Sequence, residues 1–259
     1  MLVVKDSCIK CGECKRVCPT KIIGLKDKPF IYEGSESRCI KCGHCEAVCP
    51  VNALENKLLP QDEVFEKLPP LTKVQVESAI SNRFSSRFFK SEQIEKEDLD
   101  FLLNMARHSP SGKNTQGLKF LVIRNKESLD KLKNKIIELA LQNPEYARMA
   151  QYTIRTGNDI AFYNAPCLII VLLKKNRFNN VKHGEYALSY IDLFAPSVNL
   201  GTCFCGFLDD NYQNHKEDFK ELLHFDDNEY DYVGSILIGR PDSKHYRSTK
   251  RNPLDVEYK

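Results

Sequence analysis

Eight of the eleven cysteines fall into two copies of one run. The first is Cys8-x2-Cys11-x2-Cys14-x3-Cys18-Pro19 and the second is Cys39-x2-Cys42-x2-Cys45-x3-Cys49-Pro50. Three thiolates at three-residue steps can wrap one iron–sulfide cube, a [4Fe–4S] cluster, on a tight loop. The cube needs four thiolates aimed at its corners, so a fourth has to come from elsewhere. Zinc sites instead show CxxC pairs across a longer gap, without a third cysteine at the same short step. A disulfide framework suits a short secreted chain. The pentapeptide Cys-Ile-Lys-Cys-Gly occurs at 8–12 and again at 39–43. Gly12 and Gly43 let the backbone turn tightly enough for amides to point at sulfur. His44, inside the second run, reads as an exposed loop residue, because thiolates already complete both clusters.

The doubled run is similar to that of bacterial-type ferredoxins, which carry two [4Fe–4S] clusters on a pseudo-twofold fold. In those proteins the last cysteine of each run serves the other cluster. The resemblance implies one cluster on Cys8, Cys11, Cys14 and Cys49, and another on Cys39, Cys42, Cys45 and Cys18.

The elements that must carry this chemistry are bounded by length. The chain has 259 residues, and about 58 of them hold the cysteine runs. The rest is long enough to bury a core of its own. A net charge of +3 makes no case for nucleic acid. In segment 1–58, ten Lys/Arg stand against seven Asp/Glu. With thiolates and clusters counted, that module is near neutral, so electrostatic steering of a partner is not encoded. The first run begins too early for a secretory signal. The longest apolar run, Cys167 to Leu173, suits a buried strand and is too short for a membrane span. A soluble cytoplasmic protein is expected, since exposed clusters and free thiols favour a reducing compartment. Cys167, Cys203 and Cys205 sit among apolar residues and read as small core residues.

Organisation follows from composition and period. Residues 1–58 form the cysteine-rich domain, and 59–72, with Pro60, Pro69 and Pro70 among charges, read as a semi-rigid linker. Residues 73–259 form the second domain. Val76, Ala79 and Ile80 predict a helix leading to Arg83. Leu99, Leu102, Leu103 and Ala106 predict another, and Leu129, Leu132 and Ile136 a third, stopped before Pro144. Leu118–Ile123, Leu168–Leu173 and Tyr232–Ile238 read as strands. Tyr186 to Val198 gives a long apolar helical face that Pro196 should kink or end. Helices and strands without a regular βαβ beat predict an α+β domain.

Three polar patches in this domain suit an anion and cofactor site. Arg83-Phe84-Ser85-Ser86-Arg87 flanks hydroxyls with guanidinium groups, a phosphate-binding chemistry. Ser109 to Gln116 is a polar loop between helix and strand, and Lys250-Arg251 lies near the C-terminus. Each alone is commonly a solvated face or an ordinary loop.

Taken in order, these patches resemble the nitroreductase family of FMN flavoproteins. The family's Arg-Arg-Ser-x-Arg is matched by residues 83–87. Its Ala-Pro-Ser-x-x-Asn-x-Gln-Pro-Trp loop is matched by 109–118, its Gly-rich strand entry by 199–207, and its basic tail by 250–253. The likeness covers about residues 73–259, and the whole chain resembles ferredoxin–nitroreductase fusions. It implies that Arg83, Ser85 and Arg251, with Phe84 and Lys250 beside them, hold the FMN phosphate and ribityl chain. It places Arg87 near the N1/C2=O edge of the flavin, and the backbone of Cys205 and Gly206 at N5. Pro110, Ser111, Gly112 and Asn114 would come from the partner subunit of a homodimer. Phe84, Gly117-Leu118, Cys205 and Pro196 depart from the family pattern.

No Gly-x-Gly-x-x-Gly fingerprint is present, so no Rossmann nicotinamide site is encoded. The resemblance implies a reductase that passes electrons from an external donor, reduced ferredoxin or NAD(P)H, through two clusters to FMN. The acceptor would be a nitroaromatic, a quinone or a related small organic molecule. An electron carrier or redox sensor serving a protein partner is the alternative. An acceptor-sized cavity over the flavin would favour the first, and a covered flavin with exposed clusters the second.

Overall fold

The computed structural model describes residues 2–59 and 67–259, so most of the expected linker, residues 60–66, lies outside the described residues. Two compact units result. The first holds residues 2–59 and 67–69 with 111–115, and the second is 70–110 with 116–259.

In the first unit β1 (Leu2–Val4) pairs antiparallel with β4 (Leu54–Asn56), and β2 (Ile23–Leu25) with β3 (Pro29–Ile31). Short helices α1 (Glu13–Val17) and α2 (His44–Ala47) follow the second cysteine of each run. Gly12 and Gly43 precede them at φ 77° and 74°, the left-handed region where a side chain is penalised. The apolar core is small: Ile22, Ile23 and Leu54 pack with the cysteines Cys14, Cys18 and Cys45.

The second unit begins with α3 (Lys73–Ser81), started by a capping box between Thr72 and Gln75. Then come α4 (Lys96–Ala106), β5 (Leu118–Ile123), α5 (Lys126–Gln142), α6 (Ala147–Thr156) and β6 (Cys167–Lys174). They are followed by α7 (Val181–Phe194), β7 (Gly201–Phe204), α8 (Gly206–Asn214), α9 (Lys216–Leu223) and β8 (Tyr230–Gly239). The four strands form one antiparallel sheet in the order β5-β6-β8-β7. Strand alternation divides β6 between two cores. Leu168, Ile170 and Leu172 pack with residues of α5, α8 and α9, while Cys167, Ile169 and Val171 pack with residues of α4 and α7. A sheet buried on both faces by helices is the expected α+β domain.

Pro196 ends the long helix as its missing N–H requires: α7 stops at Phe194 and a 3-10 turn, Ala195–Val198, takes over. Most of the apolar face from Tyr186 is spent inside the unit, where Ala187, Leu188, Ile191 and Ala195 are buried. Tyr186 remains exposed. Periodicity did not reveal α6, α8 or α9. No helix among the described residues is long and apolar enough to cross a membrane.

Candidate functional site

The eight cysteines of the two runs open onto two hollows in the first unit. Cys8, Cys11, Cys14 and Cys49 line one, of about 350 Å³, and Cys18, Cys39, Cys42 and Cys45 line the other, of about 360 Å³. Each hollow therefore takes three cysteines from one run and the last cysteine of the other. Four sulfurs around a largely apolar hollow fit an iron–sulfide cube in number and chemistry.

The two hollows repeat in backbone as well as sequence. Lys10 and Lys41, and Lys21 and Asn52, all have positive φ, and each pair lies 31 positions apart, as Cys8 and Cys39 do. The Ala53 amide donates to Cys49 Sγ at 3.2 Å, and the matching Ile22 amide donates to Cys18. Burial pushes the thiols of Cys14 and Cys45 up. It acts on Cys18 too, but the amides of Ile22, Thr20 and Lys21 and the Thr20 hydroxyl carry that thiol below its ordinary value.

In the second unit, residues 83–87 run as a strand-like segment beside β7. Ser85 bridges to Thr202, and the Ser86 amide donates to the Thr202 carbonyl at 2.7 Å. Gly201 permits this approach, because a Cβ there would overlap the Ser86 hydroxyl. Phe84 and Ser86 line a hollow of about 760 Å³ with Thr202, Pro241, Lys244 and His245, and the Phe84 ring stacks on His245 at 3.9 Å. Arg83 Nη1 lies 3.4 Å from Asp192 Oδ2, and Asp192 also accepts from the Thr202 hydroxyl. Arg87 acts on Cys203: burial raises that thiol, and the Arg87 charge opposes the rise. Two guanidinium groups and the Ser85 hydroxyl on one short segment suit a phosphate.

The remaining expected residues lie elsewhere. Lys250 and Arg251 are on an exposed tail without regular structure. Pro110 ends the stretch of the second unit that follows α4, whereas Ser111, Gly112 and Asn114 group with the first unit. Asn114 Nδ2 donates to the carbonyls of Ile40 at 3.2 Å and Lys41 at 2.8 Å.

Cys205 caps α8 and is buried. Its amide donates to the Ser235 carbonyl at 3.0 Å, so that N–H is already used. Gly206 follows, exposed, with open space around its Cα. Beneath it, Asp209 Oδ1 accepts from Tyr232 Oη and Ser235 Oγ, each at 2.6 Å. Burial pushes the Asp209 carboxyl up to about 6, against those two hydroxyls. Asp192 and Asp209 escaped the sequence reading. Asp192 was detectable as a carboxylate interrupting the apolar face of α7, one turn after Leu188. Asp209 had no signal, because its partners come from a distant strand.

Residues 80–240 match the Nitroreductase family, and residues 7–53 match the 4Fe-4S dicluster domain. Iodotyrosine deiodinase of Hydra vulgaris is 28% identical over 138 residues, 50% of this chain and 47% of that protein. The chain thus spans about half the length of the curated relative it matches. A nitroreductase with bound FMN from Desulfitobacterium hafniense DCB-2 has a TM-score of 0.58 at 24% identity, covering 70% of this chain and 98% of that one. A nitroreductase with bound FMN from Bacteroides fragilis NCTC 9343 gives 0.59 at 18%, covering 71% and 99%. A BluB-like flavoprotein from Clostridium difficile 630 gives 0.55 at 19%, covering 70% and 99%. At these identities the structural likeness shows the fold.

Proposed function

We propose that this chain, which belongs to the nitroreductase family and carries a 4Fe-4S dicluster domain at its N-terminus, is an FMN- and iron–sulfur-dependent reductase. Its donor is an external low-potential carrier such as reduced ferredoxin, and its acceptor a small nitroaromatic, quinone or related molecule. One observation carries this: a unit with two four-cysteine hollows shares one chain with a nitroreductase unit. When bound, the clusters supply single electrons at low potential, and the flavin gathers them for delivery as a pair or a hydride.

The chain's own residues supply binding and orientation. Asp192 holds the Arg83 guanidinium on one side, leaving further N–H donors for a phosphate. Ser85 adds a hydroxyl, and Lys250 and Arg251 add charge from the tail. The Arg87 cation would favour negative charge on a flavin bound beside it. With the Cys205 amide committed to Ser235, the Gly206 amide, in the first turn of α8 where N–H groups lack helical partners, would be the donor available to a bound flavin. A homodimer completes the site, as nitroreductase family members are typically dimeric.

The test is anaerobic turnover of the full chain with reduced ferredoxin, NADH and NADPH offered separately. The acceptors are a nitroaromatic and a quinone, with a halophenol added because of the deiodinase likeness. Cys11→Ala should abolish ferredoxin-driven turnover and spare turnover driven by dithionite, which reaches the flavin directly. Equal loss with both donors, or loss with neither, would remove the clusters from the electron path.

A further inference from the structure

The 31-residue repeat makes the two hollows comparable position by position, and their side-chain donors are not matched. Asn56 is buried in the first unit with its Nδ2 at 3.7 Å from Cys45 Sγ and 3.9 Å from Cys39 Sγ. Its orientation is fixed, because Asn56 Oδ1 accepts the Leu58 amide at 3.1 Å, which turns the NH₂ toward sulfur. Thr20 Oγ1 lies 3.6 Å from Cys18 Sγ. A metal-ligating thiolate has no proton, so the hydroxyl donates. Cys18, Cys39 and Cys45 all line the second hollow.

The equivalent positions around the first hollow carry no donors. Thr20 corresponds to Val51, which lines that hollow, and Asn56 corresponds to Leu25. The charged side chains are mixed: Glu13 lines the first hollow where His44 lines the second, but Lys10 also lines the first, and the Glu46 carboxylate, which accepts the Asn56 amide, acts on Cys45 at the second. The Glu13 carboxylate also shares its charge with Arg16, so the comparison rests on the uncharged donors to sulfur. The Ala53 and Ile22 amides are matched donors at the two sites. The two sites therefore differ in their side-chain donors, Asn56 and Thr20, and in the further amides at Cys18.

Hydrogen bonds to ligand sulfurs stabilise the added negative charge of the reduced form and raise a cluster's potential, and a nearby carboxylate does the reverse. We infer that Asn56 and Thr20 make the site of Cys18, Cys39, Cys42 and Cys45 the higher-potential one. In the singly reduced module the electron then resides there, taken from a one-electron donor of lower potential with no bond made or broken. This rests on the iron–sulfur reading above and adds to it an order between two sites that the cysteine pattern leaves identical.

The experiment uses the full chain, with iron and sulfide content measured first, so that absence of clusters is told apart from absence of asymmetry. Potentiometric titration followed by EPR should resolve two one-electron waves. Thr20→Val with Asn56→Leu should lower the upper wave, moving the electron distribution toward the first site by roughly tenfold, ~59 mV for one electron. The lower wave should stay. Paramagnetic NMR of cysteine β-protons in partly reduced wild type gives an independent reading that survives a variant losing iron. Signals of Cys18, Cys39, Cys42 and Cys45 should respond first. Coincident waves, movement of the lower wave only, or first response from Cys8, Cys11, Cys14 and Cys49 would overturn the inference.

Discussion

The first unit is organised around sulfur and the second around hydrocarbon. Cys14, Cys18 and Cys45 are core residues of the first unit, beside only a few aliphatic side chains. The second unit buries both faces of a four-stranded sheet, with Leu168, Ile170 and Leu172 on one side and Ile169, Val171 and Ile191 on the other. A chain segment as short as the first unit rarely closes a stable core from apolar burial alone. Its ligands have to supply what its side chains do not, so binding and folding are one process there. The second unit can hold its shape first and position a cofactor afterwards.

The largest consequence is selective collapse. Removing iron with a chelator, or substituting Cys45→Ala, should unfold the first unit while leaving the second intact. Amide hydrogen exchange would read this as lost protection in 2–59 with protection kept across β5, β6 and β8. Simultaneous loss in both units would show one cooperative body and end the distinction. The converse substitution is Ile170→Ala, at a fully buried position of β6. It should cost about 2–5 kcal/mol of the second unit's stability through lost burial and the cavity left behind. Iron–sulfur absorbance at room temperature should be unchanged.

A smaller effect concerns Asp209. Burial raises its carboxyl to about 6 in the folded chain, whereas an unfolded aspartate titrates near 3.8. Between these values the folded state holds the proton and the unfolded state has released it. Stability should therefore fall as pH rises from about 4 to about 6, and then level off, by up to ~3 kcal/mol. Below the lower value no penalty remains. Asp209→Asn should flatten that slope in denaturant melts of the second unit, and an unchanged slope would assign the dependence to other groups.

The same contrast decided what the sequence could disclose. Ligation by cysteines a few residues apart is local, so both runs were legible, and β5 spans the Leu118–Ile123 stretch read as a strand. Helices with a clear apolar stripe, α4 and α5, were equally plain. The helix α9 was lost because a short charged segment, Lys216–Leu223, buries only Phe219 and Leu223. Around the candidate flavin site, the Arg83–Asp192 pair joins residues 109 positions apart. Asp209 meets Ser235 and Tyr232 only after β8 is laid beside the start of α8. Asn56 and Thr20 were passed over because a donor to sulfur is recognisable only once the sulfur's neighbours are known.

The smallest effect comes from making one substitution in both units. Gly43 and Gly157 have nearly the same left-handed backbone, φ 74° and 72°, one before α2 and the other after α6. A Cβ would meet only Leu59 Cδ1 at 4.0 Å at Gly43 and nothing within 4 Å at Gly157. Crowding therefore contributes nothing, and the cost of alanine is the conformational one, about 1–2 kcal/mol at either site. The readouts should differ even though the cost is shared. Gly157→Ala should lower the thermal midpoint of the second unit by a few degrees and leave iron retention alone. Gly43→Ala should leave that midpoint unchanged and shift the partition of iron between protein and chelator toward loss by roughly tenfold, since 1.4 kcal/mol is a factor of ten at equilibrium. If Gly43→Ala instead moved the thermal midpoint with no change in iron retention, the first unit would owe its stability to packing, and its dependence on sulfur and iron would be wrong.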